Sequence, residues 1–451
     1  MSESNSSEKY SMKIQSGGLK TLADQKLAYV AVVLTIIWFS YFSLRFLVND
    51  VIPREAFTMI LGSLIFALGI LIFLKIRTGR VILGITVYAC YVIIQFLIRN
   101  QWDEIHVIAL GQYLVPIAFS VIGIYLWKKN LYKIIIKVFL ITAFISILGG
   151  LANLHLGWGE SFFLLNILDR VEVGSEILQR GGSLAGGSLV TGFIVMAGIL
   201  LSLWNGMFYK LMIPFFVLSL FSTLSRGSLV MLFVGFIVII LLRTSKKRPF
   251  SLNNRGILPR LSPNILLLFI SLTVISLFST RDAFIERFFI DLFDFQMELG
   301  NIVRVESWIE ATTIWLQNPL FGQGVGILGT TAVIREISPL AAESMYLQIL
   351  GELGLIGMFV YLGAIVPPLF LAWKGLKKLQ KRVQAQGLVR MLLACVVAIL
   401  VGGLYLQNLG DFTGSLFWYF FGGIAGYVKE TCNSGNDLRG KSYWAQGSNN
   451  A

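Results

Sequence analysis

Charge is scarce in this chain of 451 residues. Only 14% are Asp, Glu, Lys or Arg, against about 25% in an ordinary soluble domain, while 56% are hydrophobic and mean hydropathy is +0.76. That balance excludes a soluble enzyme, a nucleic-acid-binding domain and a disordered chain. Cysteine is scarce too: Cys90 and Cys395 fall in apolar runs and Cys432 in the C-terminal stretch, so no extracellular disulfide framework and no metal cluster is expected. The two histidines, His106 and His155, stand alone at the ends of apolar runs and read as interface residues rather than ligands. Residues 1–25 are polar and rich in Ser and Lys, without the short apolar core and cleavage site of a signal peptide, so the first apolar run reads as a retained helix. No internal repeat is visible, which removes support for the duplicated halves of many transporters.

What the chain has instead is long apolar runs. Twelve lie near 27–48, 57–74, 81–98, 106–127, 134–151, 187–204, 209–222, 228–242, 263–279, 345–372, 391–408 and 415–428. Runs near 20 residues match the span of a bilayer. The expectation is an all-α, polytopic transmembrane helical bundle of about twelve helices over 27–428, with extracytoplasmic loops at 152–186 and 280–344. Tails 1–26 and 429–451 lie outside it. With both termini in the cytoplasm, that side holds all 18 Lys, 9 Arg and 5 acids, and the opposite side 10 Arg, 18 acids and no Lys. The positive-inside rule expects such a split, and it accounts for the net charge of +13 without nucleic acid. The short basic segments 243–262 and 373–390 read as orientation signals that touch anionic lipid.

Four features on the non-cytoplasmic side carry groups capable of chemistry. Gln179-Arg180-Gly181-Gly182-Ser183-Leu184-Ala185-Gly186-Gly187 reads as a glycine-rich loop before a helix, where backbone can approach an anion. Ser222-Thr223-Leu224-Ser225-Arg226-Gly227-Ser228 joins two apolar runs by a turn too short to let Arg226 leave the membrane boundary, and a guanidinium there can fork onto phosphate oxygens. Residues 302–317 read as an amphipathic helix with Ile302, Val305, Trp308, Ile309, Thr312 and Leu316 on one side. Arg304 stands in its first turn, where the helix dipole disfavours a cation and an anionic partner is expected. Asn318-Pro319 and Gly322, Gly324 and Gly326 end it in a turn. Last, Glu343 opens the helix that re-enters the membrane, with Ser344 next and Gly351, Gly354 and Gly357 spaced for close packing. Glu343 is placed to act as a base, and Glu352 to tie that helix to a neighbour.

Order and sidedness of these features resemble the O-antigen ligase/O-antigen polymerase (Wzy-like) superfamily of bacterial envelope glycosyltransferases, best over 175–360. Ser225-Arg226-Gly227 resembles its first arginine motif. Arg304 with Trp308, then Asn318-Pro319 and Gly322-x-Gly324, resembles its large-loop motif. Glu343–Gly357 resembles a helix that in the family usually starts His-Asn-x-Tyr-Leu; here Glu343 and Ser344 replace His and Asn. The resemblance implies a GT-C-like fold, a donor glycan joined through diphosphate to undecaprenol, no cofactor and no metal, and catalysis by protein cations. Arg226 and Arg304, with Arg180 third, would neutralise the departing diphosphate, and Glu343 would take the proton of an acceptor hydroxyl with inversion at the anomeric carbon. The carboxylate at 343 favours a repeat-unit polymerase, with membrane lipids and a chain-length regulator as partners, over a ligase that moves glycan to lipid A core. A transporter is a third reading; it predicts ionisable groups at helix centres, and apart from Glu352 these are nearly absent.

Overall fold

The computed structural model describes residues 22–43, 54–76, 80–99, 104–156, 169–173, 176–180, 188–204, 207–223, 225–242, 299–329, 342–378, 383–406 and 411–445. They form twelve helices: α1 Leu22–Ser43, α2 Arg54–Lys75, α3 Arg80–Ile98, α4 Glu104–Lys128, α5 Tyr132–Leu156, α6 Ser188–Ser202, α7 Ile213–Ser222 (preceded by the single turn Met207–Lys210), α8 Arg226–Leu241, α9 Leu299–Gln317, α10 Met345–Lys378, α11 Val383–Gly402 and α12 Asp411–Ala445. Six are long and apolar enough to cross a membrane, and four shorter apolar helices accompany them. The chain is a polytopic helical membrane protein. Eleven of the twelve expected apolar runs coincide with helices, and the run at 263–279 lies outside the described residues.

Two boundaries differ from the sequence reading. The helix expected at 391–408 is Val383–Gly402, because Gly402-Gly403 ends it and Leu404, Tyr405 and Leu406 fold back as a turn. The last helix runs on to Ala445, through most of the stretch read as a tail. The strands among the described residues form a hairpin, β1 Asp169–Val173 with β2 Glu176–Arg180, antiparallel with Asp169 opposite Arg180. Arg180 therefore ends a strand, not the loop expected there, and residues 181–187 lie outside the described residues.

The centre of the bundle is α12 against α4. Every residue from Phe412 to Val428 is buried, as expected for a helix that is apolar all round. Small residues let the two backbones close up: a Cβ on Gly422 would lie 2.4 Å from the Ser120 carbonyl oxygen, and one on Gly123 would lie 2.9 Å from that of Tyr419. Tyr132 of α5 stacks on Tyr419 at 4.7 Å and its hydroxyl donates to the Tyr419 carbonyl at 3.1 Å.

Polar contacts collect at the two ends of the bundle. At one end Asp24 pairs with Lys129 at 2.6 Å and Lys75 at 3.7 Å, and the Trp127 indole donates to Glu430 at 3.2 Å. The opposite end gathers the end of α3, the starts of α8 and α10, α9 and its following turn, and the turn between α11 and α12.

Candidate active site

The scaffold of the site is a break in α10. Gly354 has φ 71° and ψ −174°, a conformation that only glycine adopts readily, and it interrupts the helix within the membrane-spanning stretch. Three glycines expected to serve close packing thus include one that serves a break. An interruption frees backbone groups that hydrocarbon cannot satisfy. The turn after α9 satisfies them. Gln323 N–H donates to the Gly351 carbonyl at 2.8 Å and Gly324 N–H to that of Glu352 at 3.0 Å. In return Leu355 N–H donates to Pro319 at 2.9 Å and Ile356 N–H to Leu320 at 3.2 Å. The Tyr91 hydroxyl takes the Leu353 carbonyl at 2.9 Å, and Arg99 donates to the Gly322 carbonyl. So close a crossing of two backbones needs positive φ without Cβ, which Gly322, Gly324 and Gly326 supply at 70°, 115° and 94°.

Glu352 clamps the same turn with its side chain. It is fully buried; one oxygen accepts from the Tyr113 hydroxyl at 2.5 Å, and the other from Leu328 N–H at 3.1 Å and the Gln348 amide at 3.3 Å. The expected tie to a neighbouring helix is present, through Tyr113 of α4, and the turn is tied as well. The carboxylate is satisfied within the protein, so it reads as scaffold.

On this scaffold α9 lies beside the start of α10. Its Ser307 and Ala311 are buried, while Ile302, Val305, Ile309 and Leu316 are exposed. The expected apolar stripe exists, but it faces outward, and the small-residue face packs inward. Ser307 links the two helices: its hydroxyl donates to the Arg304 carbonyl at 2.9 Å and accepts from Glu343 N–H at 3.3 Å. Arg304 Nε then stands 3.9 Å from Glu343 Oε2, with 29% and 35% of the side chains exposed. At that separation the pair is Coulombic rather than hydrogen-bonded, and both groups reach solvent. Capping α10 falls to Ser344, whose hydroxyl accepts from Leu347 N–H at 3.5 Å and donates to the Gly403 carbonyl at 3.2 Å. Glu343 is thereby free of the capping role. Trp308, one turn from Arg304, has its indole N–H buried without a partner among the described residues.

Arg226 is the first residue of α8, fixed there by Ser225, whose hydroxyl accepts from Ser228 N–H at 3.4 Å and from the Ser228 hydroxyl at 2.8 Å. The Arg226 and Arg180 side chains lie outside the described residues. What ties the start of α8 to the Arg304–Glu343 pair is Tyr405, which the sequence reading counted as part of a membrane run. Its hydroxyl donates to the Gly227 carbonyl at 2.8 Å, and its ring rests where a Gly227 side chain would be. Burial pushes its phenol up to about 12, against the opposing field of Arg304, so the hydroxyl remains a donor at neutral pH. Arg304 and Glu343 are therefore in contact, and the residue after Arg226 is held by a tyrosine within electrostatic reach of Arg304.

A cation and a carboxylate, each about a third exposed at the end of a membrane bundle and aligned by hydroxyl groups, can bind an anion and accept a proton at one place. The family model described as O-antigen ligase matches residues 211–362. The match covers about a third of the chain, includes Arg226, Arg304 and Glu343, and is consistent with the resemblance read from the motifs. No curated protein matches the sequence significantly. The matched stretch begins just before α7 and ends within α10, so the break at Gly354, the Glu352 clamp and the Arg304–Glu343 pair all fall inside it, while Tyr405 and the α4 partner Tyr113 are supplied from outside.

Proposed function

We propose that the protein polymerises undecaprenyl-diphosphate-linked oligosaccharide repeat units into a surface polysaccharide, at the outer face of the bacterial cytoplasmic membrane, with both termini in the cytoplasm. The observation that carries this reading is the Arg304–Glu343 pair inside the matched O-antigen ligase domain. An acceptor hydroxyl oxygen attacks the anomeric carbon of the donor. The bond from that carbon to the diphosphate oxygen breaks, undecaprenyl diphosphate leaves, and the hydroxyl proton passes to the Glu343 carboxylate. Arg304 and Arg226, with Arg180 as a third candidate, neutralise the charge that grows on the diphosphate; a guanidinium fork suits two adjacent phosphates better than an ammonium point charge. One displacement with one base gives inversion, and these steps need no cofactor. The sorting of all 18 lysines to one side, with ten arginines and no lysine on the other, supports the sidedness. A chain-length regulator is the protein partner this reading expects, and the outer lysine-free surface is where it would act.

The family description favours a second reading, transfer of finished glycan to lipid A core or another acceptor. One experiment separates them: incubate the purified protein with a lipid-linked repeat unit and resolve the products. A ladder still attached to the polyprenyl carrier supports polymerisation. No ladder, together with carrier-bound finished polymer in cells lacking the gene, assigns the ligase reaction instead.

A further inference from the structure

The proposed reaction occupies one end of the bundle and leaves polar groups at the other end without a task. We propose that a phosphate group binds at that far end, on the first turn of α11 where it meets the end of α6, held by Gln386 and Arg390. This site does not depend on the proposed reaction. Helix α11 has its last turn at the site end, where Leu400 accepts from the Tyr346 hydroxyl; its 20 residues at about 1.5 Å each put the first turn about 30 Å away. The first four N–H groups of a helix have no intrahelical partner, and the positive end of the helix dipole lies there. No acidic side chain stands in this first turn. Side chains turn such a helix start into a site. Gln386, in the first turn of α11, is only 7% exposed, and its amide NH₂ is buried with no hydrogen-bond partner among the described residues. Helix side chains lean toward the N-terminus, so this donor is directed toward the free N–H groups. A buried amide that has given up water calls for an acceptor.

The surroundings of Gln386 decide the charge and class of the ligand. Arg390 follows one turn later on the same face of α11 and is half-buried. Between them, Gly387 is where α6 closes on α11: an added Cβ there would lie 2.8 Å from the Trp204 ring. The Lys133 ammonium of α5 stands 6.0 Å from the centre of that ring. Two residues before Trp204, the Ser202 hydroxyl is buried and likewise has no partner among the described residues. Lys377, Lys378, Lys381 and Arg382 precede α11 in the chain. The acids whose side chains are described at this end, Asp24 and Glu430, are engaged elsewhere, by Lys129 and Lys75 and by the Trp127 indole. A set of donors and cations without a carboxylate excludes a metal ion and selects an anion. An anion with several oxygens suits it best, because a guanidinium, an amide and backbone N–H groups can each take a separate oxygen. Phosphate is that anion, carried by a lipid headgroup or by a soluble phosphate ester.

The test uses full-length protein in detergent, with two probes. Phosphatidylglycerol retention is read by native mass spectrometry, and glycerol 3-phosphate binding by titration calorimetry. At least one probe should bind saturably. That binding should fall several-fold in Gln386→Leu, which keeps the volume without the donor, and in Arg390→Gln. It should persist in Arg304→Lys, which separates this site from the diphosphate-binding end. It should also change little in the double variant Lys377→Gln/Lys378→Gln, which removes charge from the neighbouring segment alone. Should Gln386→Leu fail to insert, Gln386→Met, unbranched and of similar length, replaces it. Retained lipid without heat assigns a headgroup, and heat without retained lipid assigns a soluble phosphate ester; both support the site. Absence of saturable binding by either probe would overturn it, as would parental binding in Gln386→Leu. An equal loss in the double lysine variant would also overturn it, since diffuse charge rather than a built site would then hold the ligand.

Discussion

Two alanine substitutions nine residues apart in α10 should have opposite signs. Gly354 has φ 71° and ψ −174°, and placing an L-residue in that region costs about 1–3 kcal/mol. The added methyl would lie 2.3 Å from the Leu320 carbonyl oxygen and 2.6 Å from the Gly322 nitrogen, both backbone atoms that cannot swing away. Relief requires the seam to part, which gives up the Leu355–Pro319 and Ile356–Leu320 hydrogen bonds at about 0.5–1.5 kcal/mol each, and more where no water replaces them. Gly354→Ala should therefore destabilise by about 2–6 kcal/mol. At Gly363 an added Cβ meets nothing within 4 Å, so Gly363→Ala should stabilise the helix by about 0.5–1 kcal/mol. Thermal unfolding of detergent-solubilised protein, followed by tryptophan fluorescence, compares the two. Gly354→Ala should also expose the 318–329 turn to protease below the melting transition. If both variants melt within a degree of the parent and the turn stays protected, the seam is not what holds α9 in place.

The other predictions concern the clamp and the pair. Glu352→Gln should be tolerated, because Leu328 N–H can keep an amide oxygen while the amide NH₂ donates to the Tyr113 hydroxyl; Glu352→Ala removes the acceptor of the Tyr113 hydroxyl and of Leu328 N–H, at about 1–3 kcal/mol for each, and one bond of the Gln348 amide, measured as loss of folded protein in membranes. A Glu352→Gln protein that is stable yet inactive would show that the carboxylate does chemistry. Arg304→Lys should insert normally and lose most polymer synthesis, and near-normal product length on a gel would reject the diphosphate role. Glu343→Gln should still bind the lipid-linked donor and turn over slowly; parental turnover would reject the base assignment. Tyr405→Phe removes the bond to the Gly227 carbonyl, about 1 kcal/mol, and should lower kcat several-fold without loss of expression, whereas unchanged kcat would show that the start of α8 needs no such prop.

Hydropathy makes the helices legible, since a run of about 20 apolar residues has few other uses, and charge placement marks Arg304 as a cation in a helix's first turn and Glu343 as a carboxylate where the loop re-enters the membrane. The turn at 403–406 was hidden by the same rule. Leu404, Tyr405 and Leu406 are as apolar as the helix before them, and only the Gly402-Gly403 pair hints that the chain turns there. Likewise, a glycine spacing of three fits both close helix packing and a helix break; the difference lies in which backbone arrives opposite, a fact about the turn at 319–324 some thirty residues earlier. The amphipathic stripe of α9 has the period expected, but period alone does not say which face is turned inward, and here Ser307 and Ala311 win the contact because small side chains allow the helices to approach.

The break in α10 and the ion pair at its start belong to one construction. Interrupting a helix at membrane depth leaves donors and acceptors that must be paired inside the protein, and the partner here is the turn that follows α9. Because Glu343 stands just before the first turn of α10, α9 is docked on this segment twice: by Ser307 at the Glu343 amide, and by the seam eight to thirteen residues further on, roughly 10–20 Å away. Two attachments that far apart fix the orientation of α9 as well as its position. Arg304 is thus held near Glu343 by backbone, not by its own attraction to the carboxylate, which at 3.9 Å and in partial contact with solvent is weak. A weak ion pair on a rigid frame suits the proposed anion-binding role: in the proposed reaction an incoming diphosphate would take the guanidinium without dismantling the fold and leave the carboxylate to act on the acceptor.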